Sequence, residues 1–485
     1  MRAATKPKAV REFGDFQTPA ALAQQICRLL EARGVAPASL LEPTCGVGNL
    51  LFAGLAQFPH IVKAIGLDIE PLYVQAVQAA LRGRLIADKV MVVQDDFFTA
   101  DWPALLNALP DPVLVLGNPP WITNAQLSII GGTNLPPKSN FLQLPGWAAR
   151  TGKSNFDISE WMMIHLLQIL AGRQATLALL CKTAVARKVL RYSWQHHIAL
   201  AGTDLYLIDA AAHFGVAVDA CLLLCRLQPR QYDSRCMVYS NLIADVPTQQ
   251  FGYRDGHLIA NLADYDRWQQ LHGNDGTRWR SGIKHDCAAV MEFVQEGVGY
   301  RNGLGEWVDL EPDHLYPLLK ATQLAKGLVQ QTKRYMLVPQ QTSGADTRLI
   351  AVSAPKTWQY LLDHGLLLDQ RASVIYRNQP RFAVFGVGNY AFTPWKVAIS
   401  ALHKKLVFHV VGPLAGRPVV LDDTSNFLAC TTQEEAVYLA KLLNSEPAQQ
   451  FLQAFIFWDA KRPITVEVLQ HLNLTALKQV VYASV

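Results

Sequence analysis

The sequence predicts an α/β protein: a mostly parallel sheet wrapped by helices, followed by a second unit of mixed α and β structure. Four short apolar runs lie at Ser39-Leu40-Leu41, Ala64-Ile65-Gly66-Leu67, Val90-Met91-Val92-Val93 and Val113-Leu114-Val115-Leu116, and they read as strands buried on both faces. Each runs into glycine, proline or carboxylates, the loop chemistry with which open α/β sheets hold ligands at their carboxyl ends. The chain has 485 residues, 50% hydrophobic and 17% charged, which is enough for two cores and excludes wholesale disorder.

Taken in order, residues 1–16 read as a polar leader without the apolar core of a signal peptide. Gln17-Thr18-Pro19 opens a helix, with Thr18 as N-cap and Pro19 at the first helical position, and Leu22, Ile26, Leu29 and Leu30 share its apolar face. The first strand runs into Glu42-Pro43-Thr44-Cys45-Gly46-Val47-Gly48. Its glycines permit positive φ and close approach of a ligand. Leu51 stands where a dinucleotide fingerprint needs a third glycine, and Glu42 suits a ligand with an ammonium group better than a pyrophosphate. The second strand ends at Asp68-Ile69-Glu70, where a carboxylate accepts from ribose hydroxyls; Asp68 as N-cap of a helix over 71–81 is compatible with that role. The third ends at Asp95-Asp96-Phe97-Phe98. Asp96 suits an adenine amine and Phe97 its ring, the plainer reading being a solvated strand-end turn.

The fourth strand delivers Gly117-Asn118-Pro119-Pro120-Trp121. Two prolines stiffen the loop and remove two N–H donors. What remains are acceptors, the Asn118 side-chain oxygen and the Pro119 carbonyl, beside the flat indole of Trp121. That set suits a planar base with an exocyclic amine; a proline turn with Trp121 covering the core is the bland alternative. Residues 122–152 form a long polar loop expected to order over substrate. Lys153-Ser154-Asn155-Phe156-Asp157 then leads into a helix through Leu170, with Asp157 as N-cap, and a strand over 176–181 ends at Lys182-Thr183. A loop containing Phe214 feeds the strand that runs to Leu224.

The order of these motifs over residues 10–226 resembles the class I S-adenosylmethionine-dependent methyltransferases, and more narrowly the gamma group of amino-methylating DNA methyltransferases. The resemblance implies a Rossmann-like class I methyltransferase domain with a mostly parallel seven-stranded sheet, over residues 1–235. It implies a C-terminal α+β target-recognition domain over 236–485. S-adenosylmethionine is the implied cofactor, held by Thr18 and Pro19, Thr44, Cys45, Gly46 and Gly48, with Ile69, Phe97 and Asn118 beside it. Glu42 would meet the methionine ammonium, Asp68 the ribose and Asp96 the adenine. Asn118, Pro119, Pro120 and Trp121 would form the catalytic loop, and Phe214 would stack on the second face of the target base unless it is ordinary core.

In the second half, Arg371, Tyr376, Arg377, Asn378, Arg381, Trp395 and Lys396 interleave cations, amides and aromatics, a pattern that reads base edges and grips phosphates, or else a solvated surface. With Lys153 and Asn155 these are the expected substrate contacts. Two helices, about 433–455 and 465–476, are expected to close the domain. The net charge of +5 permits a nucleic-acid partner without demanding one. The eight cysteines lack paired CxxC spacing, so neither a metal site nor a disulfide framework is indicated, and Trp161 to Leu180 is too polar to span a membrane. The expectation is a cytoplasmic bacterial or archaeal enzyme, a monomer or weak dimer, acting on adenine N6 in double-stranded DNA. A separate restriction endonuclease chain would do any cutting. Cytosine N4, an RNA base or a protein glutamine amide are alternative acceptors, and a non-enzymatic specificity subunit with a decayed cofactor site is a third reading.

Overall fold

The computed structural model describes residues 16–122 and 157–482, which divide into two compact units, one through Ile259 and one from Ala260. The first is built on a ten-stranded sheet of β1 (Ser39–Glu42), β2 (Lys63–Asp68), β3 (Val90–Gln94), β4 (Val113–Gly117), β5 (Ala175–Lys182), β6 (Leu200–Ile208), β7 (Ala220–Leu227), β8 (Arg235–Tyr239), β9 (Gln249–Arg254) and β10 (His257–Ile259). Its order is β10-β9-β8-β6-β7-β5-β4-β1-β2-β3. The five strands from β3 to β5 pair in parallel, and β7 inserts antiparallel between β5 and β6. These seven strands are the expected sheet.

The other three are an extension along the β6 edge. Residues 235–259 supply it, all but the first of them placed in the second domain by the sequence reading: β8 pairs parallel to β6, and β9 and β10 follow antiparallel. These strands are short and only partly buried, so they lack the continuous apolar runs that mark β1 and β4.

Helices cover both faces. α1 (Ala20–Ala32) buries Leu22, Ile26, Leu29 and Leu30 and packs against α2 (Asn49–Gln57). Each such side chain contributes about 1.5–3 kcal/mol on burial. Pro19 itself is the N-cap residue of α1, with no side-chain cap, so Thr18 does not cap the helix as expected. Its hydroxyl is displaced from that task by one residue, and its carbonyl instead accepts from Asn49 Nδ2 at 2.8 Å. α3 spans Pro71–Leu81 as predicted, but its N-cap is Glu70, whose carboxylate accepts from Leu72 N–H, rather than Asp68. α4 (Trp102–Asn107) precedes β4, α5 (Ile158–Ile169) begins at the predicted cap Asp157, and α6 (Thr183–Gln195) follows β5.

The second unit holds two sheets. A four-stranded one runs in the order Arg280–Ser281, Ser425–Cys430, Trp395–Ser400 and His409–Val411. A six-stranded one is centred on Glu292–Glu296, Arg334–Leu337 and Leu315–Leu319. Phe293, Met336, Leu361 and Phe382 anchor one core, and Leu319, Ala398 and Phe427 another. Each terminal helix expected here is divided in two. Gln433–Leu443 stops before Glu446–Gln453, because Pro447 is tolerated only in a first turn. Val466–Gln470 is likewise separate from Leu474–Tyr482. Among the described residues no helix is long and apolar enough to cross a membrane.

Candidate active site

The carboxyl ends of β1, β2 and β4, with the chain entering at Phe16, enclose a cavity of about 170 Å³. Its shape begins with two glycines. Gly46 and Gly48 have φ of +48° and +82°, a region costly for other residues. The Gly46 N–H donates to Asp68 Oδ2 at 2.7 Å, tying the loop after β1 to the end of β2. A Cβ at Gly46 would stand 2.4 Å from Gln17 Oε1, which accepts from the Val47 N–H.

The acids of the cavity wall are Glu42, Asp68 and Glu70. Glu42 is buried and accepts from the Leu51 N–H at 2.7 Å. Burial pushes its carboxyl well above the usual carboxylate range, with the Asp68 charge adding to the rise and the Leu51 bond opposing it. Asp68 Oδ1 accepts from the Glu70 N–H at 2.9 Å. Thr44 Oγ1 is buried without a hydrogen-bond partner. Burial also raises the Cys45 thiol, which packs as an apolar group.

The catalytic-loop candidates divide. Asn118 Nδ2 donates to the Phe16 carbonyl at 2.7 Å, while Asn118 Oδ1 is buried and has no partner. Trp121 is buried, and its Nε1 donates to the Leu180 carbonyl at 3.4 Å. Phe214 lies on α7 (Ala210–Phe214), a short helix closed by Gly215 at φ +68°, rather than in a loop. Its ring meets Trp121 edge to face, 5.2 Å between centroids, and Phe16 touches both at 5.9 and 6.1 Å. The two rings are in contact, so a base enters between them only if they part.

Of the predicted cofactor residues, the cavity is lined by Thr18, Glu42, Thr44, Cys45, Gly46, Asp68, Ile69, Phe97 and Asn118, and Pro120 joins them. Pro19, Gly48, Asp96, Pro119, Trp121 and Phe214 are outside the lining. Asp96 Oδ1 accepts from the Phe98 N–H at 2.9 Å in the turn after β3. The lining also includes Phe16 and Gln17, which fall in the stretch Phe16 to Pro19 that resembles the family's amino-terminal cofactor motif, and Asn49, Tyr73, Phe98 and Met162, which sequence reasoning missed. Asn49 follows the second glycine directly and Phe98 follows Phe97, so adjacency was the available signal for these two.

The expected substrate contacts fare differently. Lys153 and Asn155 lie outside the described residues. Lys396 is buried, donates to the Thr393 carbonyl at 2.7 Å, and has its pKa pulled down to about 7 by burial, so it does not face a phosphate. Arg371 is spent inside the fold as well, donating to the carbonyls of Leu368 and Ala383 with its guanidinium 3.7 Å from the Tyr376 ring centre. Arg381 pairs with Asp369 at 2.8 Å. Tyr376 and Trp395 are half-buried; Arg377 and Asn378 are exposed.

No family model matches the chain. The type II methyltransferase M.NspV from Nostoc sp. (strain ATCC 29411 / PCC 7524) is 43% identical over 475 residues, covering 98% of this chain and 98% of its own. Among solved structures, the type IIL restriction-modification enzyme MmeI in complex with DNA superposes with a TM-score of 0.55 at 13% identity. That match covers 93% of this chain and 64% of the MmeI chain, so the present chain is the shorter. The likeness to MmeI shows the fold alone. With the order β3-β2-β1-β4-β5-β7-β6 and β7 reversed, that fold is the class I methyltransferase α/β fold. The end-to-end identity with M.NspV places the chain further: it belongs to the type II methyltransferase family.

Proposed function

We propose that this protein methylates the N6 amine of a flipped-out adenine in double-stranded DNA, using S-adenosylmethionine, as the modification enzyme of a restriction–modification system. The observation that carries the reading is Asn118 Oδ1: buried, unpartnered and part of a cavity wall. A buried oxygen without a donor costs about 1–3 kcal/mol, and a substrate amine removes that cost. The end-to-end identity with the type II methyltransferase M.NspV supports the assignment to a restriction–modification system.

The cavity residues fit the cofactor on their own chemistry. Burial disfavours the charged form of Glu42, a penalty that a bound ammonium would offset. Thr44 Oγ1 is a second unpartnered group on the wall. Glu42 would hold the ammonium, Asp68 the ribose hydroxyls, and Phe97 and Phe98 the adenine; when bound, the cofactor supplies the electrophilic methyl group.

Toward the substrate, the residues bind and polarise. Extruding a base costs a few kcal/mol. Contact with Trp121 and Phe214, once their rings part, offsets about 1–3 kcal/mol for each stacked ring. Asn118 Oδ1 and the Pro119 carbonyl accept hydrogen bonds from the two amine N–H groups. The amine lone pair is then drawn out of conjugation toward the methyl group, and the acceptors match the positive charge that develops on nitrogen. The same acceptors serve cytosine N4, so the base is decided by experiment. The unit from Ala260 onward is assigned target recognition, and cutting is assigned to another chain.

A plasmid expressed with the protein in a methylation-deficient host, read by single-molecule sequencing, tests the proposal. N6-methyladenine in one sequence context supports it. N4-methylcytosine in one context keeps the mechanism and changes the base. An unmodified plasmid overturns DNA as substrate. Asn118→Ala is expected to lower transfer by on the order of 10²–10³-fold, as loss of one aimed polar partner does elsewhere, while calorimetric cofactor affinity stays within about threefold. Comparable loss of both removes Asn118 from its assigned role.

A further inference from the structure

Beside the cavity, the loop from Asn118 to Trp121 has a support on its far end. Lys182, the last residue of β5, donates from Nζ to the Trp121 carbonyl at 3.0 Å and to Asp157 Oδ2 at 2.6 Å. Asp157 is buried, and its other oxygen caps α5 by accepting from Ser159 N–H at 3.2 Å and Ser159 Oγ at 2.6 Å. The Ile158 N–H donates to the Ile122 carbonyl at 2.9 Å, so two adjacent links close the same gap. Ser159 is itself buried, while the Lys182 side chain is partly exposed.

We propose that Lys182 is a positioning residue for the NPPW loop, with Asp157 as its anchor. The inference rests on the assignment of Asn118 as the amine acceptor. The loop is held at two points. Phe16 fixes the Asn118 amide at one end, and Lys182 fixes the Trp121 carbonyl at the other. Two prolines between these points stiffen the link. Displacement of the Trp121 carbonyl is therefore passed back to Asn118 and the Pro119 carbonyl, instead of being absorbed by soft torsions. The ammonium is suited to this task because it presents several donors from one atom, and it serves a neutral acceptor and a carboxylate together. Asp157 balances its charge close to the place where the amine becomes positive. Neither residue lines the cofactor cavity, so their effect falls on the transfer step.

The test uses the full chain with Lys182→Met, Lys182→Arg and Asp157→Asn, and it has a readout that needs no substrate. Hydrogen exchange of peptides covering 118–122 and 157–162 is expected to accelerate by about tenfold or more in Lys182→Met and Asp157→Asn. Lys182→Arg, which keeps a donor, returns both peptides toward wild type, and peptides from α1 stay unchanged in all three. In methyl transfer, Lys182→Met is expected to lower kcat by about ten- to a hundredfold, with KM for S-adenosylmethionine unchanged, as expected for misplacement of a reacting geometry. Local exchange that responds while even the wild-type protein transfers no methyl group supports the clamp and counts against the proposed function. Unchanged exchange overturns the clamp, and so does acceleration spread evenly over the chain. Normal kcat in Lys182→Met beside an active wild type also overturns it.

Discussion

The proposed function gives the chemistry to Glu42 and Asn118: burial disfavours the charged form of the first and leaves the side-chain oxygen of the second unpartnered. Glu42 has a carboxyl pKa raised by burial, so the folded chain binds its proton more tightly than the unfolded chain does. Stability therefore falls as pH rises above the ordinary carboxylate range, because the unfolded form releases that proton first. Glu42→Gln is expected to melt higher than wild type at pH 8, with a smaller difference at pH 5, in scanning calorimetry without cofactor. The same variant should bind S-adenosylmethionine more weakly, since it has no charge to offer an ammonium. A variant that binds as tightly as wild type would separate Glu42 from the ammonium. Both residues are legible in the sequence, because each follows an apolar strand and each is a polar side chain that such a position must justify. Lys396 and Arg371 show the limit. Their composition resembles a phosphate-gripping surface, yet one is enclosed and the other pins backbone carbonyls. Whether a basic side chain turns inward depends on strand register and on contacts distant in sequence, which a local pattern does not encode.

Elements follow the same division. Strands β1, β2 and β4 were readable because they are buried on both faces and run into loops with a distinct chemistry. The loop after β1 places Gly46 where a side chain has no space. Gly46→Ala is expected to cost about 1–2 kcal/mol for the left-handed backbone alone, and more once Gln17 is displaced. Cofactor affinity should fall with stability in that variant, measured together by thermal shift with and without S-adenosylmethionine; retained affinity would mean that the loop is not a cofactor cradle. Short elements were harder. The five residues of α7 carry too little periodicity to separate a helix from a loop, and its Asp209 cap and Gly215 stop were visible only once its bounds were known. The break between Leu443 and Glu446 had a readable cause in Pro447, but amphipathic spacing continues across it and conceals the stop.

For the whole molecule, the ten-stranded sheet makes a definite statement about where the catalytic unit ends. β8 pairs with residues 203–206 of β6, and Tyr239 stacks on Tyr206 at 4.5 Å. We propose 259 as the working limit of that unit. A chain ending at residue 235 would lose β8, β9 and β10 together, leaving the hydrogen-bonding edge of β6 bare, a template for aggregation. It is expected to be insoluble on expression, whereas a chain ending at 259 should be recovered with a cooperative thermal transition. Equal solubility of the two would show that the extension is dispensable.

The bond between Asn118 and Phe16 has a consequence for how this enzyme tolerates change. The acceptor is a main-chain carbonyl, present whatever residue occupies position 16, so the orientation of the Asn118 amide is insulated from substitution there. Exchanging the Phe16 ring alters the aromatic packing against Trp121 and Phe214 and the part of the cavity wall that it lines. Position 118 has no such latitude. An aspartate would be the same size, but it would set one carboxylate oxygen against that carbonyl with no proton between them. Inherited variation is thus absorbed on one side of the bond and refused on the other, although the two residues lie 102 positions apart.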